Sequence, residues 1–126
     1  MAINACTKGK CGERELAKEL ARLFGCTARR GQQFSGLPES PDVVVDIPGV
    51  HVECKRTERL RLYDAVEQAR HDAADHEVPL VCHRHNRGDW LAIVPLDDLP
   101  ALAVLLNAAL DDALKGAADG TTTNSS

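Results

Sequence analysis

The apolar positions change their period several times along the chain, and each change marks an element. "GERELAKELARLFG", residues 12–25, carries Leu16, Leu20, Leu23 and Phe24 at helical spacing, with Gly25 as a natural stop. "CTARR" reads as a short strand and "GQQFSGLPES" as a flexible stretch after it. "DVVVD" and "VHVECKR" are apolar runs joined by Pro48-Gly49, which together predict a hairpin. From about Leu62 to His76 the spacing of Leu62, Val66, Ala69 and Ala73 is helical again. "PLVCHR" and "WLAIV" predict two more strands around "HNRGD". "LDDLPALAVLLNAALDDALKG" closes as a helix, with acidic residues and Pro100 near its start and Gly116 at its end. The resulting order, α-β-β-β-α-β-β-α, predicts an α/β fold with a central mixed β-sheet flanked by helices. Residues 1–115 read as a single domain, and 116–126 as a disordered tail, because "GAADGTTTNSS" has no apolar period.

A length of 126 residues suits one domain with one core. No apolar run reaches membrane-spanning length and no signal pattern opens the chain, so a soluble protein is expected. Five cysteines are an odd number without a compact disulfide framework, which favours free thiols in a reducing cytoplasm. Cys82, His83 and His85, with Cys6 and Cys11 upstream, match no standard zinc spacing. The net charge of -4 conceals an asymmetry. Residues 1–70 hold twelve Lys/Arg against ten Asp/Glu, whereas 71–126 hold three against nine. A phosphate-bearing partner is therefore compatible with the half that contains the hairpin. Four aromatic residues give few stacking platforms, which argues against a single-strand-binding module. Leu99, Leu102, Val104, Leu105, Leu106 and Leu110 spread over more than one stripe of the last helix, as if part of it were core and part a dimer contact.

Charged residues inside the hairpin carry the candidate chemistry. Alternation sets His51, Glu53 and Lys55 on one face of their strand. A two-residue loop at Pro48-Gly49 pairs Asp42 with Lys55 and brings it to that face; a three-residue loop pairs it with Cys54 and throws it to the other. Pro followed by Gly is the type II preference and favours the convergent register. In the first helix, at about 100° per residue, Glu13 falls at the centre of the apolar stripe. A carboxylate pushed toward a sheet edge needs a partner such as a metal or a lysine. His51, a lone histidine on a strand, is read as structural, and neither it nor His71 and His76 is given a role.

An inward Glu on a helix, Pro41-Asp42 at a strand start and Glu53-Cys54-Lys55 on the next strand resemble the PD-(D/E)xK nuclease superfamily. "KGKCGEREL", "RRGQQFSG" and "EQA" further resemble segments of archaeal-type and phage-encoded Holliday junction resolvases. The resemblance covers roughly residues 8–95 and stops short of the acidic C-terminal helix. It implies a restriction-endonuclease-like core and a metal-dependent endodeoxyribonuclease acting on branched DNA, most of all four-way junctions. It also implies a homodimer in the cytoplasm of a bacterium, an archaeon or a phage-infected cell. Hydrolysis would then use Mg²⁺ or Mn²⁺ held by Asp42, Glu53 and the backbone carbonyl of Cys54, with Glu13 as a direct or water-mediated ligand. Lys55 would orient or deprotonate the attacking water and offset transition-state charge. Gln68 matches the glutamine on the helix after the Glu-x-Lys strand; helix geometry alone leaves it either at the site edge or in solvent. Lys8, Lys10, Arg29, Arg30, Arg56, Arg59 and Arg61 flank the site as phosphate contacts, with Gln33 and Ser35 on a loop resembling the one that meets the cleaved strand. A nicking, repair or flap nuclease of the same fold, or a DNA-binding protein without activity, would use the same scaffold.

Overall fold

The computed structural model describes residues 5–31 and 41–125, with side chains described over 10–31 and 41–116. Its elements are α1 (Ala5–Phe24), β1 (Ala28–Arg30), β2 (Val43–Val45), β3 (Val50–Arg56), α2 (Leu62–Asp72), β4 (Val78–Arg84), β5 (Leu91–Ile93) and α3 (Leu99–Ser125), the last preceded by a 3-10 turn over Leu96–Asp98. The five strands form one sheet in sequence order, antiparallel throughout except between β3 and β4. That parallel pair needs a crossover, and α2 provides it. This is the α/β architecture, a central mixed sheet flanked by helices, in the element order expected.

Alternation along β3 and β4 sorts the layers. Val50, Val52, Leu80 and Cys82 join Leu16, Ala17 and Leu20 of α1 and Leu102 and Ala109 of α3 in the main core. Val81 faces the other way and packs on Ala65 and Ala69 of α2. β3 lies in the middle of the sheet with neighbours on both edges and helices over both faces, so even its polar side chains are drawn inside. Each Val or Leu buried in such a core contributes roughly 1.5–3 kcal/mol. α1 ends where expected: Gly25 takes φ +62° and its N–H donates to Ala21 O at 2.9 Å.

The hairpin corrects one expectation in detail. Pro48-Gly49 does form the type II turn, with Gly49 at φ +90° and Val50 N–H donating to Ile47 O at 3.3 Å. The ladder beyond it, however, pairs Val43 with Val52, not with the residues that the tight loop implies. Asp46 and Ile47 leave the ladder because each is taken up elsewhere. Asp46 N–H donates to Thr27 O beside β1, and the Ile47 side chain turns into the core. Just before the Val43–Val52 pair the ladder is bulged: Asp42 N–H donates to Val52 O at 3.0 Å, so Asp42 and Val43 both stand against Val52, and Asp42 is not paired with Lys55. The Asp42 carboxyl nevertheless reaches across to β3, where it accepts from Cys54 N–H at 2.8 Å.

Three element bounds also differ. α1 begins at Ala5, well before Gly12, since nothing in "ACTKGK" breaks a helix outright. α2 stops at Asp72, where Ala73 turns extended and caps Ala69 O, rather than at His76. α3 continues past Gly116 to Ser125, so the segment expected to be a disordered tail is helical over that range. Each of the glycines at 116 and 120 costs a helix only about 1 kcal/mol, and two alanines follow the first. Most of the expected loop at 31–40 lies outside the described residues.

Candidate active site

The two central carboxylates meet. Cys54 N–H donates to Asp42 Oδ2 at 2.8 Å, which holds the Asp42 side chain across the β2–β3 gap. There it is hydrogen-bonded to the carboxyl of Glu53, which is 3% exposed. Burial pushes the Asp42 carboxyl up to about 7, and the hydrogen bond and charge of Glu53 add to the rise; the Cys54 N–H opposes it, and Glu13 adds a further push. Burial also works against a charged Glu53, yet hydrogen bonds from His51 and Asp42 and the charges of His51 and Lys55 outweigh it, so Glu53 ionises below its ordinary value. Of the two carboxyls, Asp42 is thus the one that keeps its proton to higher pH, with Glu53 as the acceptor.

Lys55 shares the Glu53 face, and its Nζ donates to Gln68 Oε1 at 2.9 Å. Gln68 is itself exposed, and only its amide oxygen reaches the Lys55 ammonium. Its amide oxygen is a neutral acceptor, so Lys55 is oriented without its charge being cancelled. Glu13 reaches the same sheet edge from the opposite layer and is held by Arg30, whose Nε donates to Glu13 Oε1 at 2.8 Å. Gly12 permits this approach: a Cβ there would lie 2.8 Å from Arg56 Cβ, so only glycine lets α1 sit this close to β3.

The basic residues divide into two groups. Arg30 is engaged with Glu13, and Arg56 lies 3.8 Å from Glu15, which also binds Arg84. Lys10, Arg29, Arg59 and Arg61 are exposed, the Arg61 guanidinium 3.9 Å from Asp64. His83 Nε2 contacts Thr57 O at 2.9 Å and so ties the loop that carries Arg59 and Arg61 to β4. Gln33, Ser35 and the side chain of Lys8 lie outside the described residues.

His51 is the residue the sequence reading passed over. It is 1% exposed, and its Nε2 lies 2.8 Å from Glu53 Oε1. Burial pulls its imidazole down, but the hydrogen bond and charge of Glu53, with the charges of Glu77 and Asp72, raise it overall. The signal was present in "VHVE". An apolar run in mid-sheet buries both faces, and a polar residue two places from a glutamate then has that glutamate as its nearest partner.

Among the described residues, no three of His, Cys, Asp and Glu are grouped as a ready-made metal cluster. The donor chemistry nevertheless suits a hard divalent cation. Mg²⁺ is commonly held by one or two carboxylates, with water completing its shell. Glu53 is buried and Asp42 half-buried beside it, and the raised proton affinity of Asp42 is one that a cation would replace.

No family model matches the chain, and no curated protein matches it. Among solved structures, one similar chain is Hjc of Archaeoglobus fulgidus, a Holliday junction resolvase from an archaeal hyperthermophile. It is 25% identical, with a TM-score of 0.47, over 69% of this chain and 72% of that one. No described helix is long and apolar enough to cross a membrane.

Proposed function

We propose that this chain is a metal-dependent endodeoxyribonuclease that cuts branched DNA, with the four-way junction as its substrate. The observation that carries this reading is the Asp42–Glu53 contact, a half-buried and a buried carboxyl side by side, near a lysine that a neutral amide holds in place. An acid pair of this kind is costly to a fold and is explained by a cation that neutralises it. Asp42 and Glu53, with the carbonyl of Cys54, would hold Mg²⁺ or Mn²⁺, and Glu13 would contribute directly or through water. When bound, the cation lowers the pKa of water and neutralises charge on the phosphate. Lys55 acts on the remaining charge: its ammonium, aimed by Gln68, orients the attacking water and hydrogen-bonds the phosphate oxygens as negative charge grows on them. Arg59 and Arg61 lie past the end of β3 and grip the backbone without reading sequence.

Resolving a junction requires two symmetric nicks, which calls for a two-fold dimer. Leu99, Val104, Leu110 and Leu114 are exposed on α3 and support such a contact. Incubation with a four-way junction, a nicked duplex and a linear duplex, in Mg²⁺ or EDTA, tests the reading. Paired nicks in the junction only, abolished by EDTA, are expected. Equal cutting of all three substrates removes the junction while keeping the nuclease. Binding without Mg²⁺-dependent cutting leaves a DNA-binding protein.

A further inference from the structure

His51 has no part in the chemistry above, yet it touches the residue on which that chemistry depends. It lies two residues before Glu53 on the same face of β3, and its Nε2 is 2.8 Å from Glu53 Oε1. Its other nitrogen, Nδ1, is buried without a hydrogen-bond partner, with Glu77 Oε1 standing off at 3.7 Å. A charged carboxylate only accepts hydrogen bonds, so the contact puts the hydrogen on Nε2. The ring is 1% exposed and cannot reach a substrate. Whatever it does, it does through Glu53.

We propose that His51 is a positioning residue for the cation: its Nε2–H fixes one oxygen of Glu53 and leaves the other for the cation shared with Asp42. The inference rests on the nuclease reading above. A free glutamate side chain loses rotamer freedom when it is fixed. The His51 contact meets that cost during folding, so the carboxylate is in place before a cation arrives. The His51 hydrogen bond occupies Oε1 alone, so it persists when a cation takes the other oxygen. Partners of this sort, which orient a metal ligand without touching the metal, typically change metal affinity by about 10–100-fold when removed.

The test is calorimetric binding of Mn²⁺, without DNA, to the wild type, His51→Leu and His51→Gln. His51→Leu is expected to weaken Mn²⁺ binding by about 10-fold or more. His51→Gln, which keeps an N–H donor, is expected to recover most of the affinity. Mn²⁺ bound by a folded His51→Leu as tightly as by the wild type overturns the proposal. Should His51→Leu fail to fold, the unmutated protein decides the matter through ¹³C and ¹⁵N NMR during a Mg²⁺ titration. The Asp42 and Glu53 carboxyl carbons and the His51 ring nitrogens are expected to shift together, with Nε2 remaining protonated. Carboxyl carbons that respond while the His51 nitrogens stay still overturn the role of His51 alone. Carboxyl carbons that ignore Mg²⁺ overturn the metal site and this inference with it.

Discussion

The raised proton affinity of Asp42 beside Glu53 makes the metal-free site a burden on the fold, and one substitution measures that burden. An aspartate carboxyl ordinarily ionises near 3.8, and Asp42 does so at about 7. Its folded value lies above its unfolded one, so the folded chain holds the proton more tightly. The associated stability is fully present below about 3.8 and is lost as pH rises through about 7. Above pH 7 the fold carries the whole cost of a charged Asp42 beside Glu53, at most about 4 kcal/mol. Asp42→Asn copies the protonated form. Its amide oxygen accepts from Cys54 N–H as Oδ2 now does, and its amide nitrogen donates to Glu53.

The metal-free Asp42→Asn variant is therefore expected to be more stable than the wild type at pH 8, and its advantage should grow with pH. Between pH 5 and pH 8 the difference should widen by about 2–3 kcal/mol, or about 10 °C in Tm for a domain of this size. Urea denaturation and thermal melts of both proteins in EDTA, across that range, read the effect. Titrating groups outside the Asp42–Glu53–His51 cluster act alike in both proteins and cancel in the difference. Added Mg²⁺ should reverse the order at pH 8, because only the wild type keeps both carboxylates and gains stability by binding. An Asp42→Asn variant no more stable than the wild type at pH 8, with a difference flat in pH, would refute the raised proton affinity of Asp42.

The remaining predictions address the other residues of the site. Glu53→Ala and Lys55→Ala should each lower single-turnover junction cleavage by about 10²–10³-fold or more while leaving DNA affinity largely intact in a gel-shift assay; wild-type cutting by either variant contradicts the assigned roles. Gln68→Glu should slow cleavage more than Gln68→Ala, because a carboxylate would orient Lys55 but cancel its charge, and the reverse order would show that orientation matters more. Gly12→Ala should cost about 1–3 kcal/mol in urea denaturation, since its Cβ would lie 2.8 Å from Arg56 Cβ, and should move Glu13 away from the sheet edge. Arg59→Ala and Arg61→Ala should each weaken junction binding and flatten its dependence on log salt by about one phosphate contact, with the cleavage rate at saturation unchanged.

What the sequence made legible, and what it did not, follows from the range of the forces involved. Element order could be read because period and turn chemistry are local: the type II turn at Pro48-Gly49 and the stop at Gly25 both stand where their residue types put them. That Asp42 would reach the following strand could be read for the same reason, although its pairing there could not. The ladder register depended on Asp46 bonding to Thr27 and on Ile47 turning into the core, and neither contact leaves a trace in the hairpin's own sequence. The end of α3 was set too early because Gly116 was taken as a stop, and a glycine followed by two alanines is a weak one. His51 was missed for a different reason. Its face was known from alternation, but its depth was not, and depth decides what a histidine does. At a solvated edge the same residue would be one more polar side chain. In the middle of the sheet, 1% exposed and 2.8 Å from a 3% exposed glutamate, it has to be part of whatever that glutamate is for.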